Sequence, residues 1–134
     1  MGRRKSAKSL DSQEICIATS GKPGQFELKG KLWIESDKGT FLGYGRVTLL
    51  ERVKEYGSIS KAAKSMNMSY RQAWGIINSM NKQAGKPLVE TKIGGRKGGG
   101  SRLTETGEKV VKQFCRIHKS FTSFLQEEIN KFEV

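Results

Sequence analysis

The stretch from position 57 to position 103, GSISKAAKSMNMSYRQAWGIINSMNKQAGKPLVETKIGGRKGGGSRL, constrains the fold more than any other part of the chain. At its centre, Ser69-Tyr70-Arg71-Gln72 fits the capping box S-x-x-Q, in which the two side chains each satisfy a backbone N–H left open at a helix start. Apolar residues follow at Ala73, Ile76, Ile77 and Met80. At about 100° per residue they fall within roughly 100° of arc. The spacing therefore predicts a helix over 69–83 with Arg71, Gly75, Asn78 and Lys82 on its opposite face and Tyr70 and Trp74 on its flank. Ahead of it, residues 60–66 predict a short helix whose Ala62 and Ala63 let a neighbouring helix approach closely, and Asn67-Met68 makes the turn. Behind it, residues 88–93 read as a strand. Five glycines between 94 and 100 form a pliable loop with Arg96 and Lys97 at its tip, and residues 101–103 return as a second strand. Short helix, turn, longer helix and glycine-rich hairpin is the order of a winged helix-turn-helix.

Charge narrows the function. The same stretch holds nine Lys or Arg (61, 64, 71, 82, 86, 92, 96, 97 and 102) against Glu90 alone, a local charge of +8 within a whole-chain charge of +12. A guanidinium, an amide and an ammonium on one helix face are the groups that read base edges and phosphates in a major groove. Arg71 is expected to contact a base directly, with guanine as the bidentate partner, and Asn78 is the second choice. Ser69, Tyr70 and Trp74 lie on the same helix, and Gln72 is open between DNA and the capping box, which can use up its side chain. Lys82, Lys92, Arg96, Lys97 and Arg102 are expected at phosphates. Gly75 costs the helix about 1 kcal/mol against alanine and leaves a gap that lets it sit close to DNA.

Other classes fall away. The phosphate-cradling motif GxxxxGK[ST] is absent, there is a single histidine, and no Ser/His/Asp arrangement or metal-ligand spacing occurs, so no enzyme, cofactor or metal is expected. Cys16 and Cys115 form no cluster and read as free thiols of a reducing compartment. No apolar run approaches the roughly 18 residues of a membrane span, and no apolar segment follows the N-terminal basic cluster, which points to the cytoplasm.

The rest of the chain frames the motif within one domain. Residues 1–23 read as a basic, flexible tail. Within 24–44, Phe26, Leu28, Leu32 and Ile34 alternate with polar positions, and Asp37-Lys38-Gly39 supplies a turn. The β-hairpin so predicted is marginal alone, and must lie on the helices, pair with the wing or pair with another subunit. Val47, Leu50 and Val53, flanked by Leu49 and Tyr56, predict an amphipathic helix ended by a left-handed Gly57. The expected wing spans 86–103, after helices within 45–83. Thr104 caps a last helix over 104–132 with apolar residues at three- and four-residue spacing. Unbroken, it would run roughly 40 Å, longer than a domain of this size is wide. Its Lys/Arg and its acids number five each (109, 112, 116, 119, 131 and 105, 108, 127, 128, 133), a balance that suits self-association. Val111, Phe114, Ile117, Phe121, Phe124 and Leu125 are therefore expected to be covered by the same helix of a second copy, with His118 beside them.

SISKAAKSMNMSYRQAWGIINSMN followed by GGRKGGGSRLTETG resembles the DNA-binding domain of the molybdate-responsive ModE regulators, relatives of the LysR-type winged helix. The resemblance covers roughly residues 31–130 and rests on SYRxAW paired with a long glycine-basic wing that ends in Leu-Thr. It implies a homodimer through the first and last helices. It also implies a recognition helix carrying Ser69, Tyr70, Arg71 and Trp74, and a wing carrying Arg96 and Lys97. Regulators of that type usually carry oxyanion-binding domains further along. This sequence runs to Val134, so molybdate binding by this chain is not expected. The fold class that follows is mainly α with small β: a winged helix-turn-helix, an N-terminal β-hairpin and a long C-terminal dimerisation helix. The function that follows is a sequence-specific, dimeric, double-stranded-DNA-binding transcription regulator. A non-specific architectural protein and a protein-interaction winged helix are the alternatives.

Overall fold

The computed structural model describes residues 26–92 and 100–134. The basic N-terminal tail, Cys16, and the stretch 93–99 with Arg96 and Lys97 lie outside the described residues. The elements run β1 (Ile34–Ser36), β2 (Gly39–Leu42), α1 (Tyr44–Tyr56), α2 (Ile59–Ser65), α3 (Tyr70–Ala84), β3 (Val89–Lys92), β4 (Gly100–Leu103) and α4 (Glu105–Lys131). The strands form two separate antiparallel pairs, β1 with β2 and β3 with β4. This is the winged helix-turn-helix that the sequence predicts.

The core sits where α1, α2 and α3 meet. Val47, Leu50 and Val53 of α1, Ala62 and Ala63 of α2, and Ala73, Ile77 and Met80 of α3 are all buried. The methyl side chains of Ala62 and Ala63 bring α2 against its neighbours on both sides. Burial of α1 exceeds what an amphipathic stripe implies, because Thr48, Leu49 and Arg52 are buried as well. The reason is tertiary: α1 is packed by α2, α4, β2 and β4 at once. A buried guanidinium needs partners, and Arg52 donates to both the carbonyl and the hydroxyl of Ser65.

Each helix of the motif begins and ends on a local device. Gly57 takes φ +66 and closes α1, its N–H donating to Val53 O at 2.8 Å. Asn67, a residue type that tolerates left-handed backbone, turns the chain between α2 and α3 at φ 57. The capping box is complete: Gln72 N donates to Ser69 Oγ at 3.0 Å and Ser69 N donates to Gln72 Oε1 at 3.4 Å.

The N-terminal hairpin is shorter than its sequence pattern. Only Ile34 to Ser36 pair with Gly39 to Leu42, and the apolar positions Phe26, Leu28 and Leu32 precede the first strand. Leu32 packs against the core instead, and the chain ahead of it meets α4 at two points. A Cβ built on Gly30 would come within 2.9 Å of Phe121 Cζ, and the Phe26 ring meets Phe132 edge-on at 5.5 Å. Of the three places open to the hairpin, it takes the helices. Gln83 Nε2 donates to Thr40 O at 2.8 Å, Ser36 Oγ donates to Gln83 Oε1, and Arg46 donates to Thr40 O at 2.9 Å and to Ser79 Oγ at 3.4 Å. The hairpin thus holds the C-terminal half of α3 from behind.

Helix α4 is a single 27-residue element capped by Thr104, whose hydroxyl accepts from Gly107 N at 3.0 Å and donates to Pro87 O at 2.8 Å. Its apolar stripe faces inward more fully than self-association requires. Phe114 is 1% exposed and belongs to the core, and Leu125 is 5% exposed. Val111 is half-buried against the core, and Ile117 and Phe121 are half-buried. Of the six residues expected to meet a second copy, Phe124 alone is largely open, at 54%. The segment 26–32 covers part of the stripe that the helix's length had suggested was left for another subunit. His118 lies between Tyr44 and Phe114, ring centroids 6.0 and 6.4 Å away, so it sits inside its own subunit.

Candidate nucleic-acid interface

The two faces of α3 separate cleanly. Ala73, Ile77 and Met80 are buried, while Arg71, Gly75, Asn78 and Lys82 are exposed in one stripe along the helix. The capping box fixes where that helix starts, and the hairpin's bonds to Gln83, with Arg46 bridging Thr40 and Ser79, fix how it is turned. Arg71 and Asn78 therefore project from a rigid element. Tyr70 and Trp74 flank the stripe at 54% and 40% exposure. Exposed aromatics of that size on a helix with a packed opposite face mark a contact surface better than a core.

Ser69 and Gln72 stand differently. The Ser69 hydroxyl and the Gln72 side-chain oxygen are each bonded to the other's backbone N–H. They hold the start of the helix in place, and both residues remain exposed.

The wing is tied to this face through its return strand. Ser101 N donates to Gly57 O at 3.0 Å, at the turn between α1 and α2. Gly100 permits that approach, because a Cβ there would lie 3.3 Å from the same oxygen. The contact closes a polar groove of about 270 Å³ lined by Ser58, Ser60, Tyr70, Thr91, Lys92 and Ser101 among others. Tyr70 and Lys92, which the sequence offers as separate candidates, thus line one groove. The four hydroxyls beside them are residues that sequence reasoning missed. They carry no local signal, since only the folding of β4 onto Gly57 makes them neighbours.

The remaining cations are placed unevenly. Lys82 is exposed in the last turn of α3, away from the groove. Arg102 of β4 sits directly opposite Glu90 of β3 and pairs with it at 3.2 Å, both side chains about half exposed or more. An exposed pair of this kind is worth about 0–1 kcal/mol, so a phosphate can displace the carboxylate at small cost. Arg96 and Lys97 lie outside the described residues. Lys61 and Lys64 add exposed positive charge on α2.

Among the described residues no group of three or more His, Cys, Asp or Glu is placed to hold a metal ion, and no helix is long and apolar enough to cross a membrane. Burial and the neighbouring Glu51 carboxylate both push the Cys115 thiol up from its ordinary value, which makes it a poor nucleophile.

Comparison with known proteins agrees with this geometry. The model of the bacterial regulatory helix-turn-helix proteins of the lysR family matches residues 45–108, from the start of α1 through β4 into α4. The chain is 39% identical over 95 residues to the molybdenum transport protein ModE of Azotobacter vinelandii, covering 71% of this chain and 35% of that protein. It is 37% identical over 89 residues to the transcriptional regulator ModE of Haemophilus influenzae, covering 66% and 35%. It is 41% identical over 69 residues to the DNA-binding transcriptional dual regulator ModE of Escherichia coli, covering 52% and 26%. The chain spans about a third or less of the length of these relatives.

Proposed function

We propose that the chain, whose residues 45–108 match the model of the bacterial regulatory helix-turn-helix proteins of the lysR family, is a sequence-specific transcription regulator that binds double-stranded DNA as a homodimer. The observation that carries the reading is the exposed stripe of Arg71, Asn78 and Lys82 on a helix whose other face is buried. In the major groove, Arg71 and Asn78 read base edges. Lys82, Lys92 and, once released from Glu90, Arg102 hold phosphates. The groove between Tyr70, Lys92 and Ser101 supplies hydroxyl donors to the same strand. Arg96 and Lys97 extend the wing's contact to the backbone or the minor groove.

The dimer reading is supported by the outward face of α4. Arg116, Lys119, Ser120, Ser123, Phe124 and Glu127 line a shallow groove there of about 440 Å³. Their order is self-complementary. Arg116 and Glu127, Lys119 and Phe124, and Ser120 and Ser123 lie symmetrically about one point between Phe121 and Thr122. Antiparallel pairing on a two-fold axis therefore sets Arg116 of each copy against Glu127 of the other, with small serines at the crossing. Two recognition helices so related read half-sites about one helical turn, or a multiple of it, apart.

Selection of bound duplexes from a random pool tests the reading. A palindromic consensus is the expected result. Tight binding with no motif would make the chain an architectural protein, and no affinity even at low salt would make the motif a protein-interaction surface.

A further inference from the structure

We propose that Gly75 is the point at which α3 touches the floor of the DNA groove, so that its missing side chain sets both affinity and site preference. The proposal rests on the DNA-binding reading of α3 and adds to it a position that no side-chain chemistry marks. Gly75 lies well inside a 15-residue helix, away from both caps. Its backbone is ordinary helix: the described glycines at positive φ are Gly39, Gly57 and Gly85. Conformation therefore does not require glycine here. Packing does not require it either, since a Cβ built at Gly75 meets nothing within 4 Å. Gly107, a glycine in the first turns of α4, is the opposite case, with Leu88 O only 2.3 Å from the built Cβ.

A glycine inside a helix weakens it relative to alanine, and nothing described in the fold draws an advantage from this one. The advantage lies outside the chain. Around Gly75, at the positions four before and three and seven after, stand the exposed side chains of Arg71, Asn78 and Lys82, and Tyr70 and Trp74 flank them. Long side chains thus wall a notch whose bottom is helix backbone. A surface that enters between them reaches the backbone itself. In a major groove that surface is the edge of a base pair, at the middle of the span that Arg71 and Asn78 bracket. A methyl group at Gly75 holds the helix off by its own radius, which lengthens the hydrogen bonds of both neighbours and leaves the phosphate contacts at the ends of the face largely in place.

The test uses the full chain and the Gly75→Ala variant, with thermal melting and competition binding to a selected duplex and to random duplex. Alanine is expected to raise the melting temperature by about 3–6 °C. Affinity for the selected duplex is expected to fall about tenfold, while affinity for random duplex stays within about twofold. Gly75→Leu, larger still, should deepen the first loss and spare the second. If the unaltered chain binds no duplex, the DNA reading itself falls. If it binds, and Gly75→Ala binds as tightly and as selectively, the close-approach role is wrong. A lowered melting temperature for Gly75→Ala would also overturn it, because the glycine would then be serving the fold.

Discussion

Single residues of this chain differ sharply in what they hold. Gly107 and Gly75 are both helix glycines, yet Gly107 sits where Thr104 N meets Leu88 O at 2.9 Å and the first turn of α4 presses on the wing. Its built Cβ would also lie 2.8 Å from Leu103 Cδ1. Gly107→Ala should therefore destabilise the fold by about 1–3 kcal/mol, since overpacking outweighs the helix propensity gained; urea unfolding measures it, and an unchanged midpoint would show that the turn has slack. Arg71 is a different kind of residue, exposed on a rigid helix with no intramolecular ion pair among the described salt bridges. Arg71→Ala should leave stability within about 0.5 kcal/mol and weaken binding to the selected site by about 1–3 kcal/mol for each base that the guanidinium reads. Equal weakening on selected and random duplex would argue against direct base reading. The identity of Arg71 as a candidate was legible in the sequence, because helical periodicity alone puts it opposite Ala73, Ile77 and Met80. The engagement of Ser69 and Gln72 with each other was legible too, as a capping box. The pairing of Arg102 with Glu90 was not, because it depends on the register of the wing strands.

At the scale of elements, the helix-turn-helix is held by devices written in its own sequence, and the hairpins are held by contacts that are not. Ser69→Ala removes half of the capping box and should cost about 1 kcal/mol, seen as a lower unfolding midpoint with site preference retained; a change of preference would mean that the serine itself meets DNA. On the proposed reading the wing acts as an electrostatic element. Lys92 ends β3 beside the groove that Ser101 closes. Lys92→Ala should weaken binding to every duplex alike and reduce the slope of log affinity against log salt by about 1, which titrations at several salt concentrations would read directly. The N-terminal hairpin shows where local pattern misleads. Alternation at Phe26, Leu28 and Leu32 has the period of a strand, but these residues lie ahead of the paired strands, with Phe26 against Phe132 at the end of α4 and Leu32 against the core. Period two places side chains on alternate sides whether or not a neighbouring strand exists, so it cannot by itself announce a partner.

For the molecule as a whole, what meets the outer face of α4 decides the assembly. The inward stripe is largely satisfied by the chain's own core and by residues 26–32. The proposed dimer would use the polar, two-fold-compatible surface around Ser120 and Ser123, with Phe124 as its apolar contact. Arg116→Glu should shift sedimentation toward the monomer, Arg116→Glu with Glu127→Arg should restore the dimer, and monomeric behaviour of the unaltered chain would remove the pairing altogether. The sequence by itself determined the winged helix-turn-helix, its caps and turns, and the charged face of α3, because each is set by residues within a few positions of one another: periodicity, capping boxes and left-handed turns act locally. Only the tertiary structure decided that the hairpin braces α3 through Gln83, that four scattered hydroxyls and Lys92 share one groove, and that Phe114 and Leu125 turn inward. Those outcomes depend on which surfaces compete for the same apolar area and the same backbone groups, and residues far apart in the chain meet there only after it has folded.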